Sequence, residues 1–338
     1  MKKVIAGLNL IYIRKKPKKA FDRILSHLFF EGRQPTMRWL WLDRFVSMEL
    51  ELLKKFSIEE SKLCKVTKPI FIVGIGRSGT TILGNILSFH REVGLLNEAK
   101  ALWHAAYPFE DVLGTYGTEA YYRLYESDAT SEVKNNVRKL HFLFLWFTKS
   151  QRLVDKYPEM IFRVRFLRAI YPDLKIILLM RNGWDTIYSI AHYARRHTFP
   201  HAKGYVDWWG VNGRKWHLLV TQVLSAERDL SAIRAVADAL ERHEDRAAVE
   251  WILTMQEGLR LAESLPDQTC TIRYEDLVTY PEYTLRTLLE FCELSQDDST
   301  IAYATQVLKP MPSHKPQDLH ADVKDVFIET MKKVGYTV

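Results

Sequence analysis

A chain of 338 residues with 47% hydrophobic and 12% aromatic content can bury the core of one large α/β domain or two small ones, which excludes a disordered or fibrous protein. Its formal charge of +7 suits an anionic cofactor or substrate, but the 48 Lys and Arg are interspersed with 41 Asp and Glu, so no nucleic-acid partner is expected. Cys64, Cys270 and Cys292 are odd in number and lack metal-ligand spacing, which argues against a disulfide framework or a zinc site and for a reducing, cytoplasmic setting.

In chain order, Lys2-Lys3 precede an apolar run from Val4 to Ile13 and then Arg14-Lys15-Lys16-Pro17-Lys18-Lys19. The run is too short to span a bilayer and has no small-residue cleavage site. Leu8, Ile11, Tyr12 and Ile13 among these cations form the segment suited to peripheral contact with an anionic membrane, although solvation or folding over the core is the favoured expectation. Residues 20 to 62 carry helical periodicity through Phe21, Ile24, Leu25, Leu28 and later Met48, Leu50, Leu52, Leu53. Residues 1–66 are therefore predicted as an N-terminal helical extension, packed on a domain of residues 67–338.

The domain opens with Ile70-Phe71-Ile72-Val73, then Gly74-Ile75-Gly76-Arg77-Ser78-Gly79-Thr80-Thr81, then Ile82-Leu83-Gly84-Asn85-Ile86-Leu87. A buried strand, a glycine loop and an amphipathic helix in that order make a phosphate cradle: the helix start offers unpaired N–H groups, and glycines let the backbone approach an anion. The octet fits both the G-x-x-x-x-G spacing of a P-loop and the G-x-G-x-x-G of a dinucleotide fold. A nucleoside triphosphatase needs Lys where this chain has Thr80, and the nearby cation is Arg77 instead. The consecutive hydroxyls Thr80 and Thr81 suit phosphate oxygens.

Beyond the loop, residues 92–98 read as a short strand or loop ending in the carboxylate Glu98, and residues 119–150 as helical, aromatic-rich material. Leu153-Val154-Asp155-Lys156 is a short strand stopped at Tyr157-Pro158, Phe166 to Tyr171 is helical, and Leu174 to Met180 is the clearest inner strand, ending at Arg181. Helices are predicted over 185–197 and about 225–263, a strand over 270–274, and a helix opened by Pro281. The alternation implies an α/β, P-loop-like three-layer fold: a mostly parallel central sheet flanked by helices, with helical insertions at about 100–150 and 195–265. Ligands in such folds sit at the carboxyl ends of strands, where Gly74, Lys156 and Arg181 fall.

Arg77-Ser78-Gly79-Thr80-Thr81 resembles the 5′-phosphosulfate loop of sulfotransferases that use 3′-phosphoadenosine 5′-phosphosulfate (PAPS), in particular the carbohydrate and tyrosylprotein branches. The resemblance covers roughly residues 69 to 310. It implies that Gly76, Arg77, Ser78, Gly79, Thr80 and Thr81 hold the 5′-phosphosulfate, that Arg181 and Ser189 bind the 3′-phosphate, and that Lys156 contacts the transferring sulfuryl group. It further implies that Tyr274, in Arg273-Tyr274-Glu275-Asp276-Leu277, approaches the nucleotide, and that Lys309, in Gln306-Val307-Leu308-Lys309-Pro310, reaches toward phosphate.

The reaction expected from this resemblance is in-line transfer of a sulfuryl group to an acceptor hydroxyl, with PAP as the product and no metal. The attacking hydroxyl must lose its proton, and Glu98 is the first-ranked base, His104 the second, with His90 a further rival. Arg77 and Lys156 are the cations expected to stabilise charge on the bridging oxygen. The Arg-Lys-Gly segment of the cytosolic branch is absent, so the adenine contacts are unassigned. Three other classes stay open: a P-loop nucleotide kinase or nucleotide-binding protein; a dinucleotide-dependent oxidoreductase, for which Glu98 lies about 20 residues after the glycines; and a non-enzymatic membrane-surface scaffold suggested by the basic N-terminus, which would not explain Arg181 or Ser189. The acceptor, a sugar, lipid or small alcohol or phenol, carries no signature, although Trp103, His104, Trp146, Trp208 and Trp209 are aromatics able to stack a ring. Nothing in the sequence speaks to oligomeric state.

Overall fold

The computed structural model describes residues 8–32, 40–201, 204–310 and 313–337. The strands in chain order are β1 (Ile70–Gly74), β2 (Val93–Asn97), β3 (Arg152–Lys156), β4 (Lys175–Met180), β5 (Phe199–His201), β6 (Gly204–Asp207), β7 (Gly210–Val211) and β8 (Thr269–Arg273). Five of them form a parallel sheet in the order β2-β3-β1-β4-β8, and β5-β6-β7 form a small antiparallel sheet.

Both faces of the large sheet are covered, as continuous apolar runs require. Along β1 and β4 the side chains alternate between two cores: Ile70, Ile72, Ile177 and Leu179 join the helices Thr80–Phe89, Pro281–Phe291 and Asp298–Val307. Phe71, Val73, Ile176 and Leu178 join the helices Ser131–Thr148, Gly183–Arg196, His243–Ser264 and Ala321–Lys333 on the other face. Each buried Ile or Leu in such a layer contributes roughly 1.5–3 kcal/mol. The expected three layers are present.

Strand order decides between two of the nucleotide folds. In the dinucleotide fold the strand that follows the glycine-loop helix lies beside the first strand. Here β3 stands between β1 and β2, so the carboxylate after β2 has no ribose beside the loop to meet, and the oxidoreductase expectation fails on topology. The crevice that a phosphate loop needs lies above β1, between β3 and β4.

Some local expectations shift. Helix occupies only Ser131–Thr148 of the 119–150 stretch, because Thr130 caps it by accepting from the Val133 N–H at 3.3 Å; residues before it are irregular apart from the short turn Glu126–Asp128. The 225–263 stretch breaks into Ser231–Val236 and the long helix His243–Ser264. Asn182 starts the Gly183–Arg196 helix, its side chain accepting from Trp184 N–H at 2.9 Å and Asp185 N–H at 3.4 Å.

The N-terminal extension packs on the sheet domain through the helices Leu10–Lys15, Pro17–Ser26 and Leu40–Lys55. Tyr12 is fully buried; its hydroxyl donates to the Ser88 carbonyl at 3.0 Å and its ring stands edge-on to Phe89 at 5.2 Å. Leu8 and Ile13 pack partly buried against the same core, so three of the four apolar residues that suited a membrane surface turn into the protein. Among the described residues no helix is long and apolar enough to cross a membrane.

Candidate active site

The loop after β1 is shaped by residues that only its neighbours make necessary. Gly74 takes φ +141°, and a Cβ there would press on the Leu179 carbonyl of β4. Arg77 (φ +67°) and Gly79 (φ +100°) are both left-handed, a conformation costly for Arg77 and free for glycine. The buried Ser78 hydroxyl donates to the Ile75 carbonyl at 2.6 Å, so this hydroxyl stiffens the loop. The helix Thr80–Phe89 starts at Gly79 without a side-chain cap, with Thr80 buried and Thr81 half-buried in its first turn.

Two aromatic side chains lean on the loop where it has glycine. A Cβ on Gly79 would overlap the ring of Tyr274, which follows β8, and a Cβ on Gly76 would overlap the indole of Trp208, at the turn between β6 and β7. Trp208 is held from behind: its Nε1 donates to Glu250 at 2.8 Å and its ring lies 4.3 Å from the Lys215 ammonium. Lys215 bridges Glu250 at 2.6 Å and Glu159 at 3.4 Å; burial opposes its charge, but these two carboxylates raise its pKa, so it is cationic.

Arg181 and Ser189 converge with the loop. Arg181, buried at the end of β4, donates from one guanidinium nitrogen to the Arg77 carbonyl at 2.9 Å and lies over the Tyr274 ring at 4.6 Å, while its buried Nε has no partner among the described residues. Ser189 accepts from Arg77 Nε at 3.2 Å, and the Arg77 guanidinium also rests 5.2 Å from the Tyr193 ring. Arg77, Ser189, Arg181 and Tyr274 thus form one contiguous patch beside the uncapped helix start.

Lys156 and Glu98 complete the other side. Lys156 ends β3, is 1% exposed, and sits with its Cβ 3.5 Å from where a Cβ on Gly84 would stand, one helical turn below Thr80 and Thr81. Its ammonium is ion-paired with Glu98, the residue after β2, whose side chain is 37% exposed. Glu98 adopts φ +52°, with its N–H donating to the Lys156 carbonyl at 2.8 Å and its carbonyl accepting from Lys100 N–H at 2.7 Å. Burial alone would raise the Glu98 carboxyl, but Lys156 first and Lys100 at 3.9 Å next bring it down to about 2.

The other expected residues stand apart from this constellation. His104 stacks on Tyr116 at 5.2 Å and meets Gly117, its Nδ1 is buried without a partner, and burial lowers its pKa; none of these contacts is to the loop or the ion pair. His90 caps the far end of the Thr80–Phe89 helix and engages the Ser295 carbonyl at 2.8 Å, about 15 Å of helix from Thr80. Lys309 is exposed, just past the helix Asp298–Val307. Of the aromatics, Trp103 and Trp209 are core, Trp146 is 70% exposed elsewhere, and Trp208 alone meets the loop.

The residues fit a sulfated nucleotide. An uncapped helix start, the Nε of buried Arg181, unpartnered among the described residues, and the cations Arg77 and Lys156 together ask for a multiply charged anion. Comparison with known proteins agrees. The profile of the sulfotransferase family matches residues 69–237 and 218–298, and this chain belongs to that family. It is an enzyme of the sulfotransferase class. It is 22% identical over 304 residues to protein-tyrosine sulfotransferase A of Caenorhabditis elegans, covering 79% of this chain and 67% of that protein. It is 25% identical over 235 residues to protein-tyrosine sulfotransferase 1 of Danio rerio, covering 69% of this chain and 55% of that protein. The chain therefore spans about two thirds of one relative and little more than half of the other. In fold it is similar to the sulfotransferase STF9 from Mycobacterium avium, with a TM-score of 0.51 and 13% identity over 99% of this chain and 94% of that one.

Proposed function

We propose that the chain moves the sulfuryl group of PAPS in line onto an acceptor hydroxyl, with Glu98 as general base, Lys156 and Arg77 at the transferring group, and Arg181 with Ser189 at the 3′-phosphate. The observation that carries this reading is the Glu98–Lys156 ion pair, set at the open ends of adjacent strands and against the first turns of the phosphate-loop helix. When bound, PAPS supplies an activated sulfur–oxygen bond to its 5′-phosphate, and that is the bond that breaks. Glu98 takes the proton of the acceptor hydroxyl as the acceptor oxygen bonds to sulfur. Arg77 and Lys156 face the negative charge that gathers on the departing phosphate oxygen.

The depressed Glu98 pKa gives this arrangement an order. A carboxylate held at about 2 by Lys156 is a weak proton acceptor. Once the ammonium turns toward the donor's oxygens, the carboxylate returns toward its ordinary range, so donor binding arms the base. For the acceptor we take a phenolic hydroxyl first: two relatives are named protein-tyrosine sulfotransferases, and Trp208 and Tyr193 set aromatic faces beside Gly76 and Arg77.

Calorimetric titration with PAP, run beside magnesium ATP and NAD, tests the donor site, and sulfuryl transfer from PAPS to a tyrosine peptide, a simple phenol and a sugar tests the acceptor. Preference for ATP or NAD sinks the reading. Tight PAP binding with transfer only to the sugar keeps the donor site and replaces the phenol.

A further inference from the structure

We infer that the N-terminal extension positions the catalytic base, through a clasp of Lys19, Arg23 and Glu31 on strand β2; this rests on the role proposed for Glu98. β2 is an edge strand of the five-stranded sheet, and its even-numbered residues face β3: Glu92 accepts from Arg152 at 3.0 Å, and the ladder ends with Glu98 donating to Lys156. The odd-numbered residues point their backbone groups outward. An open edge of this kind needs partners.

The extension supplies them in register. Lys19 Nζ donates to the Val93 carbonyl at 2.6 Å, Arg23 donates to the Leu95 carbonyl at 2.6 Å, and the Asn97 N–H donates to Glu31 Oε1 at 3.0 Å. Lys19 and Arg23 are one turn apart on the Pro17–Ser26 helix, a rise of about 6 Å, and Val93 and Leu95 are two residues apart on a strand, about 6.6 Å. The two periods match, so the helix lies along the strand like a missing neighbour. Arg23 uses the same nitrogen to bind Glu31 at 2.6 Å, both side chains being at most 4% exposed. Burial would raise the Glu31 carboxyl, but Arg23 and His27 lower it, so it stays an ionised acceptor for Asn97.

The last of these bonds matters for chemistry. Asn97 directly precedes Glu98, a non-glycine residue in left-handed backbone that persists only where its surroundings fix it. Glu31 holds the Leu96–Asn97 peptide, and Lys156 and Lys100 hold the two peptides that flank the Glu98 Cα. Glu31 and Arg23 are positioning residues: they touch neither donor nor acceptor, and they hold the base where its carboxylate can reach the attacking hydroxyl.

The test compares the 338-residue chain with the double variant Arg23→Met/Glu31→Leu, which removes both charges and keeps the volume apolar. Sulfate release from PAPS, with water as acceptor, is measured beside PAP affinity and hydrogen exchange of residues 93–99. We expect PAP affinity within about two-fold of the parent, release slower by about 10-fold or more, and faster exchange confined to 93–99. Glu98→Gln added to the double variant should cost less than it costs alone, since the base is already misplaced. Unchanged exchange and unchanged release with native PAP affinity overturn the proposal, and so does a parallel loss of affinity and release with exchange raised throughout. If the parent itself binds no PAP, the donor reading falls, while exchange at 93–99 still decides the clasp.

Discussion

Lys156 and Glu98 hold each other across the carboxyl ends of β3 and β2, the ammonium 1% exposed and the carboxylate 37% exposed. The cation is therefore buried and the carboxylate is the open half of the pair, the side from which an acceptor must come.

Replacing the carboxylate separates chemistry from donor binding. Glu98→Gln is expected to cut sulfuryl transfer by about 10²- to 10⁴-fold, the usual range for general acid–base catalysis. PAP affinity should stay level or rise, because Lys156 loses its competitor. Steady-state rates beside calorimetry check this, and a loss of affinity matching the loss of rate would reassign Glu98 to the donor site.

At the other end of the donor, Arg181→Ala should weaken PAP binding by about 1.5–3 kcal/mol, the scale of a hydrogen bond to a charged group. Adenosine 5′-phosphosulfate, which lacks the 3′-phosphate, should bind the variant and the parent nearly alike. If both ligands lose equally, Arg181 acts through the Arg77 carbonyl it supports rather than through the 3′-phosphate.

The glycine at 79 has no tolerated substitute. Gly79→Ala places a Cβ in the Tyr274 ring at φ +100° and is expected to destabilise the fold by about 1–3 kcal/mol or more and to abolish PAP binding. Gly76→Ala meets only the Trp208 ring, so Gly76→Ala combined with Trp208→Ala should recover much of the PAP affinity that Gly76→Ala loses. Thermal melts and PAP titrations of the three variants decide it.

Asp155, beside Lys156 but on the opposite face of β3, gives a pH test. Its Oδ2 accepts from Trp103 Nε1 at 2.8 Å, Oδ1 has no partner, and burial pushes its carboxyl up to about 7, while the neighbouring buried His141, 3.9 Å away, is pushed by burial down to about 3. A raised carboxyl binds its proton more tightly in the folded state, so its contribution is full below the ordinary value near 4 and falls as pH rises toward 7. Asp155→Asn should match the parent in stability near pH 4 and exceed it by about 1–4 kcal/mol at pH 8, as read by denaturant unfolding. A difference independent of pH would mean that Asp155 is ionised in the fold.

The phosphate loop was legible because eight consecutive residues carry it, each with a local reason: glycines for approach, hydroxyls and Arg77 for an anion. Arg181 and Lys156 were legible as strand ends. The pairing of Lys156 with Glu98 was not, since it depends on β2 lying beside β3, a matter of strand order that no local pattern encodes. Trp208 was visible only as one of several aromatics. Its hairpin is built of strands two to four residues long inside a stretch that read as a helical insertion, and the turn cue, Gly204 and Gly210 around Asp207-Trp208-Trp209, was the signal available. The extension was legible as helices but not as a partner of β2, because Lys19, Arg23 and Glu31 read as ordinary surface charges until a strand edge stands opposite them.

The Lys19, Arg23 and Glu31 contacts also determine what β2 cannot do. A parallel sheet ending in an open strand is a template onto which a second sheet can add. With the Val93 and Leu95 carbonyls and the Asn97 N–H already taken by side chains, and a helix lying along it, β2 offers a neighbouring molecule a blocked ladder. The helix Pro17–Ser26 thus covers this edge of the sheet, and a chain shortened to begin at β1 would expose it to its own copies.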